Sequence, residues 1–280
     1  MNALMWVLVM PLLGGLVLGW LGHKPYARDV NVVFSLATFV ASVALTVHVT
    51  GHGPEMALNK QFFIDPLNAF LVSLTTFVSL TTAIFSRPYM RAEQDHGKMT
   101  APRMRLYHSM YQLFGFTMLL GLTTNNLGIL WVAMEAATLT TVLLVSVYRT
   151  SASLEAAWKY FILCGVGIAQ ALFGTILLYM AADKVLGSEG ATLLWTDLNA
   201  IKAQLDPTII TLAFVFLLIG YGTKIGLVPL HSALGQHNDP GRSLIFPQPA
   251  QWIGYRLNHM KLLNSPAVTQ QMLAWLAPAP

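Results

Sequence analysis

The sequence predicts an all-α polytopic membrane protein with about seven transmembrane helices. Three observations carry that prediction. Hydrophobic residues make up 55% of the chain and charged residues only 10%, against about 25% charged in a soluble domain. Mean hydropathy is +0.58. Apolar stretches of the roughly 17–25 residues that a spanning helix needs recur along the chain.

The stretches are Ala3–Leu21, Val30–Val49, Leu67–Phe85, Leu106–Leu122, Leu127–Tyr148, Ala157–Met180 and Thr208–Leu230. The first has no basic region ahead of it and is long for a signal-peptide core, so it reads as a span. Asp65-Pro66 and Asp206-Pro207 open the third and seventh. In each, a carboxylate can cap the free N–H groups of the first turn, and proline has no N–H to leave unpaired. Asn125-Asn126 makes a tight turn between the fourth and fifth, so these two form a helical hairpin.

Loop charges set the expected orientation. One side carries Lys24, Arg28, Arg87, Arg91, Lys98, Arg103, Arg105 and Arg149, and the other only Lys60, Lys184 and Lys202. The richer side is expected to be cytoplasmic, which puts the N-terminus outside. Residues 232–280 are polar, rich in Pro, Gln and Asn, and contain no bilayer-length run. They are expected to form a weakly ordered cytoplasmic tail. The chain thus divides into two N-terminal helices (1–64), helices three to seven (65–231) and the tail (232–280).

The net charge of +4 reports loop asymmetry and not nucleic-acid binding, since no basic stripe with interleaved aromatics is present. The single cysteine, Cys164, excludes an intrachain disulfide and a cysteine metal site. No metal-ligand spacing, phosphate loop, dinucleotide fingerprint or nucleophile set appears, so no metal and no cofactor is expected.

The chemistry lies in charges buried in the apolar runs. Lys224 sits deep in the seventh stretch among Gly220, Gly222, Gly226 and Pro229, the composition of a helix that can break beside its charge. A charge at that depth costs a few kcal/mol and is kept where it faces a protein interior or a wet cavity. Glu135 lies mid-way along the fifth stretch, with Trp131 and Thr138 on its face and further hydroxyls at Thr140 and Thr141. Lys159 follows Glu155 at i, i+4, as an interfacial ion pair or a relay position. His231 closes the seventh stretch and titrates near neutral pH. At about 1.5 Å per residue, Glu135 is roughly 12 Å and Lys224 roughly 24 Å from the outer ends of their helices. Tilt, a break near Gly220 and Gly222, or water must bring them together.

Three segments carry a family likeness: Asn125-Asn126-Leu-x-x-x-Trp-x-x-x-Glu135, Ser153-Leu-Glu-Ala-Ala-Trp-Lys-Tyr160, and Gly220-Tyr-Gly-Thr-Lys-Ile-Gly-Leu-Val-Pro-Leu-His231. The chain resembles the antiporter-like membrane subunits of respiratory complex I, Mrp-type cation/proton antiporters and group 4 hydrogenases, most of all the component F type of hydrogenase-4. The resemblance covers about Asp65 to His231. It implies that Glu135, Lys159 and Lys224 match the family's charged helix positions and form part of a proton half-channel, with His231 at its mouth. It also implies a bacterial inner-membrane location, partner membrane and peripheral subunits, and redox chemistry carried out by those partners. From Ser232 onward the family pattern, with its second inverted half, is not matched. That departure is read as a truncated frame or a fragment with an unrelated tail. Two alternatives stand beside the proton path: a structural, non-conducting chain, and a cation/proton antiporter subunit.

Overall fold

A computed structural model describes residues 3–187 and 192–226. Pro229, His231 and the tail from 232 lie outside the described residues.

The helices are α1 (Ala3–Leu21), α2 (Ala27–His52), α3 (Pro66–Asp95), α4 (Ala101–Thr123), α5 (Leu127–Val145), α6 (Ser151–Leu186), α7 (Trp195–Ile201) and α8 (Pro207–Ile225). An antiparallel hairpin, β1 (Glu55–Ala57) with β2 (Phe62–Ile64), sits between α2 and α3. Among the described residues, six helices, α1, α2, α3, α5, α6 and α8, are long and apolar enough to cross a membrane. The chain is an all-α, multi-pass membrane protein.

The expected fourth span forms as α4, but it is not among those six. Its neighbours explain the difference. His108, Ser109, Gln112 and Thr117 of α4 are all buried. Ser109 donates to the Gly15 carbonyl of α1 at 2.8 Å. Gln112 Nε2 reaches the Asn31 carbonyl, Asn31 Oδ1 and Ser35 Oγ of α2 at 2.9–3.0 Å. A helix enclosed by other helices need not be apolar where its polar groups find partners there, as Ser109 and Gln112 do.

The same inversion shapes α2. Its buried face carries Asn31, Ser35, Thr38 and Ser42, while Val33, Leu36, Val40 and Val47 are exposed. Ser42 meets Thr76 of α3 at 2.6 Å, and Thr46 meets Ser73 at 2.7 Å. Apolar residues turned outward and hydroxyls turned inward suit a hydrocarbon solvent.

Both proline starts are capped as expected. Asp65 and Asn68 form a reciprocal capping box, with N–H···O distances of 2.8 and 2.6 Å. Asp206 Oδ1 accepts from Thr208 and Ile209 at 2.8 and 3.3 Å.

The Asn125-Asn126 turn does more than join two helices. Asn126 caps α5 through Gly128 at 2.8 Å and donates to Gln61 Oε1 at 2.8 Å. Asn125 Nδ2 donates to the Lys60 carbonyl and to Thr196 Oγ1, both at 2.9 Å. The β-hairpin, the α4–α5 turn and the α7 loop are therefore clasped at one end of the bundle. That end holds the loops with few basic residues. The basic loops meet at the opposite end, where Arg87 pairs with Asp29 and Tyr89 meets Tyr148 at 3.2 Å.

Candidate functional site

Three helices build the site, and their packing explains the glycines. A Cβ on Gly220 of α8 would lie 2.6 Å from both the Ala171 nitrogen and the Gly167 carbonyl oxygen of α6. One on Gly174 would lie 2.8 Å from Leu217 and 3.0 Å from the Ala213 carbonyl oxygen. Contacts below 3.0 Å require something to shift. Only glycine lets the two backbones come this close. Trp131 of α5 donates its indole N–H to the Ile168 carbonyl of α6 at 2.8 Å, locking the third helix on.

The expected break at Gly220 and Gly222 is not where α8 ends. The helix runs through both residues, which are buried, and stops at Gly226. Gly226 takes a left-handed conformation, φ 73° and ψ 35°, and its N–H caps the carbonyls of Gly222 and Thr223. Gly226 supplies the positive φ that terminates a helix, while Gly220 supplies close packing.

Lys224 therefore sits in the last turn of α8. The carbonyl end of a helix favours a cation. Its ammonium donates to Thr138 Oγ1 of α5 and to the Tyr160 hydroxyl of α6, the latter at 3.3 Å. The ammonium also lies 5.6 Å from the Tyr160 ring centroid. Thr141 Oγ1 stands 3.1 Å from the Tyr160 hydroxyl and extends the chain of hydroxyls along α5.

Glu135 lies one turn before Thr138 on α5, on the same face. Its Oε2 is buried and has no hydrogen-bond partner among the described residues. No ion pair joins Glu135 to Lys224 among the described residues. The long lysine stem brings the ammonium to the hydroxyl next along from the carboxylate.

Lys159 is elsewhere. It points outward, 61% exposed, and pairs with Glu155 at 2.8 Å. Tyr160, its chain neighbour, is the residue that faces Lys224. Sequence reasoning passed over Tyr160 because a phenol in an apolar run reads as packing. The signal available was angular: successive helix residues turn about 100° apart, so an outward Lys159 leaves Tyr160 free to face inward.

Comparisons with known proteins identify the family. A family model described as NADH:quinone oxidoreductase/Mrp antiporter, TM, matches residues 124–235. Another, described as NADH-Ubiquinone oxidoreductase (complex I), chain 5 N-terminus, matches residues 52–98. The Hydrogenase-4 component F homolog of Methylacidiphilum infernorum is 45% identical over 228 residues, covering 81% of this chain and 47% of the relative. NADH-quinone oxidoreductase subunit N of Herminiimonas arsenicoxydans is 28% identical over 209 residues, covering 73% and 40%. The chain thus spans about half the length of the curated relatives it matches. Two solved structures share the fold. One is the membrane-bound sulfane sulfur reductase, an archaeal respiratory membrane complex, with TM-score 0.68, 19% identity and coverage of 81% of this chain and 46% of that one. The other is respiratory complex I from Thermus thermophilus, with TM-score 0.60, 23% identity and coverage of 80% and 45%. With these matches falling across the very helices that carry Glu135, Tyr160 and Lys224, the chain belongs to the family of antiporter-like membrane subunits found in complex I, Mrp antiporters and group 4 hydrogenases.

Proposed function

We propose that this chain supplies part of a proton half-channel in a hydrogenase-like or complex I-like assembly of the bacterial inner membrane, with its basic loops on the cytoplasmic side. The observation that carries the reading is the Lys224 ammonium bonded to Thr138, one turn from a buried Glu135 oxygen that has no partner among the described residues. A small movement of the lysine toward or away from the carboxylate is the step by which the proton would pass between them. Thr138, Thr141 and Tyr160 supply hydroxyls over which it can pass. Lys159 and His231 are proposed as flanking proton-transfer groups, the first beside Tyr160 in sequence and the second beyond the described residues. Partner subunits would carry the electron transfer.

Proton flux into proteoliposomes tests this on wild type, Glu135→Gln and Lys224→Ala. Both variants are expected to lose flux that wild type shows. Equal flux in all three would favour the structural, non-conducting alternative, and flux that requires sodium the cation/proton antiporter.

A further inference from the structure

At the basic end of the bundle, α1, α4 and the segment after α5 enclose an open cleft of about 470 Å³. Arg103, Arg105 and Arg149 line it, and Leu106 and Met110 form apolar wall beside Gly19. Of the other cations at this end, Arg87 pairs with Asp29, Lys98 with Glu93 and Lys159 with Glu155, while Lys24, Arg28 and Arg91 form no ion pair among the described residues. None of the three cleft arginines forms an ion pair among the described residues. Arg103 donates to the Lys98 carbonyl at 3.1 Å. Three arginines line one opening, and no carboxylate is among its lining residues.

Arg149 adds a second sign. It holds a left-handed backbone, φ 53° and ψ 30°. That conformation is uncommon outside glycine, asparagine and aspartate. Glycine would fit the turn at less cost, yet an arginine side chain stands there.

The two halves of the lining ask for different chemistry. Guanidinium groups match phosphate oxygens bidentately. Leu106 and Met110 give the cleft an apolar wall, and Trp20 of α1, next to the lining residue Gly19, is 76% exposed. An aqueous anion satisfies only the first half. Basic pockets between spanning helices are suited to anionic headgroups. We propose that this cleft is a binding site for one anionic phospholipid, its phosphate held by Arg103, Arg105 and Arg149 and an acyl chain lying along Leu106 and Met110. The site is separate from Lys224 and does not rest on proton transfer.

The test is thermal unfolding of the full chain in mild detergent, titrated with phosphatidylglycerol, phosphatidylcholine or inorganic phosphate. Phosphatidylglycerol is expected to raise the midpoint of wild type, and the other two to leave it in place. The Arg103→Gln/Arg105→Gln/Arg149→Gln variant is expected to lose that rise, and native mass spectrometry to show the retained phosphatidylglycerol gone. Arg149→Gly separates lipid binding from folding. It relieves the backbone, so lipid-free stability holds or improves, while the rise with phosphatidylglycerol shrinks. An unchanged rise in the triple variant would overturn the proposal. So would an equal rise with phosphatidylcholine, or one with phosphate alone, which would mark a free-anion site.

Discussion

Gly220 of α8 rests against the backbone of Gly167 on α6, so closely that a methyl group at Gly220 would lie 2.6 Å from two main-chain atoms. This contact sets the spacing between the helix that carries Lys224 and the helix that carries Tyr160.

Gly220→Ala is therefore expected to force α6 and α8 apart and to lower stability by about 1–3 kcal/mol, the usual cost of overpacking. Gly165→Ala is the control, because a Cβ there meets nothing within 4 Å. Thermal unfolding in detergent distinguishes the two. Matching midpoints would show that the helices can separate freely.

Thr138→Val keeps the shape of the side chain but removes the acceptor for Lys224. A hydrogen bond to a charged group contributes about 1.5–3 kcal/mol. If Lys224 carries protons, flux should fall by about tenfold or more, at 1.4 kcal/mol per factor of ten. Tyr160→Phe, which removes the longer contact, should have a smaller effect. Lys159→Ala should change stability by less than about 1 kcal/mol, since exposed ion pairs contribute little. A Thr138→Val protein with wild-type flux would separate this hydroxyl from the path.

Much of this site was legible in the sequence. Charges deep in apolar runs marked Glu135 and Lys224, and the Asp-Pro pairs marked two helix starts that the structure caps as expected. The stretch Leu106–Leu122 marked α4 as well, but the neighbours that enclose its His108, Ser109 and Gln112 were not legible. Two further features were not legible either. The α6 helix outruns its apolar stretch at both ends, through Glu155 and Asp183, because a helix continues into water without needing apolar residues. The β-hairpin and α7 depend on Asn125 and Asn126 reaching segments 60–70 residues away, contacts that local pattern cannot register.

Asn125→Ala removes donors to Lys60 and Thr196 in a residue that is 3% exposed. Leaving those partners unpaired is expected to cost about 1–3 kcal/mol. The clasp should also loosen, so limited proteolysis is expected to cut at residues 192–194 faster than in wild type. An unchanged cleavage rate would mean that the hairpin and the α7 loop hold without it.

His108→Leu should act in the other direction. His108 is 1% exposed, and neither ring nitrogen has a partner among the described residues. An unsatisfied buried polar group costs about 1–3 kcal/mol, so an apolar side chain of similar size should raise the unfolding midpoint. A lowered midpoint would indicate that the ring is bound to something the helices alone do not provide.

The left-handed stop at Gly226 has a consequence for how Lys224 can be manipulated. By ending α8 at Ile225, it keeps Lys224 in the last turn, where the negative pole of the helix favours a cation. Part of what anchors that cation is thus main chain, beyond the reach of side-chain exchange. Replacing Thr138 or Tyr160 weakens the anchorage without abolishing it. Extending α8 past Gly226, for instance with alanine there, would carry the pole away from the lysine and unseat it while every neighbouring side chain stayed in place.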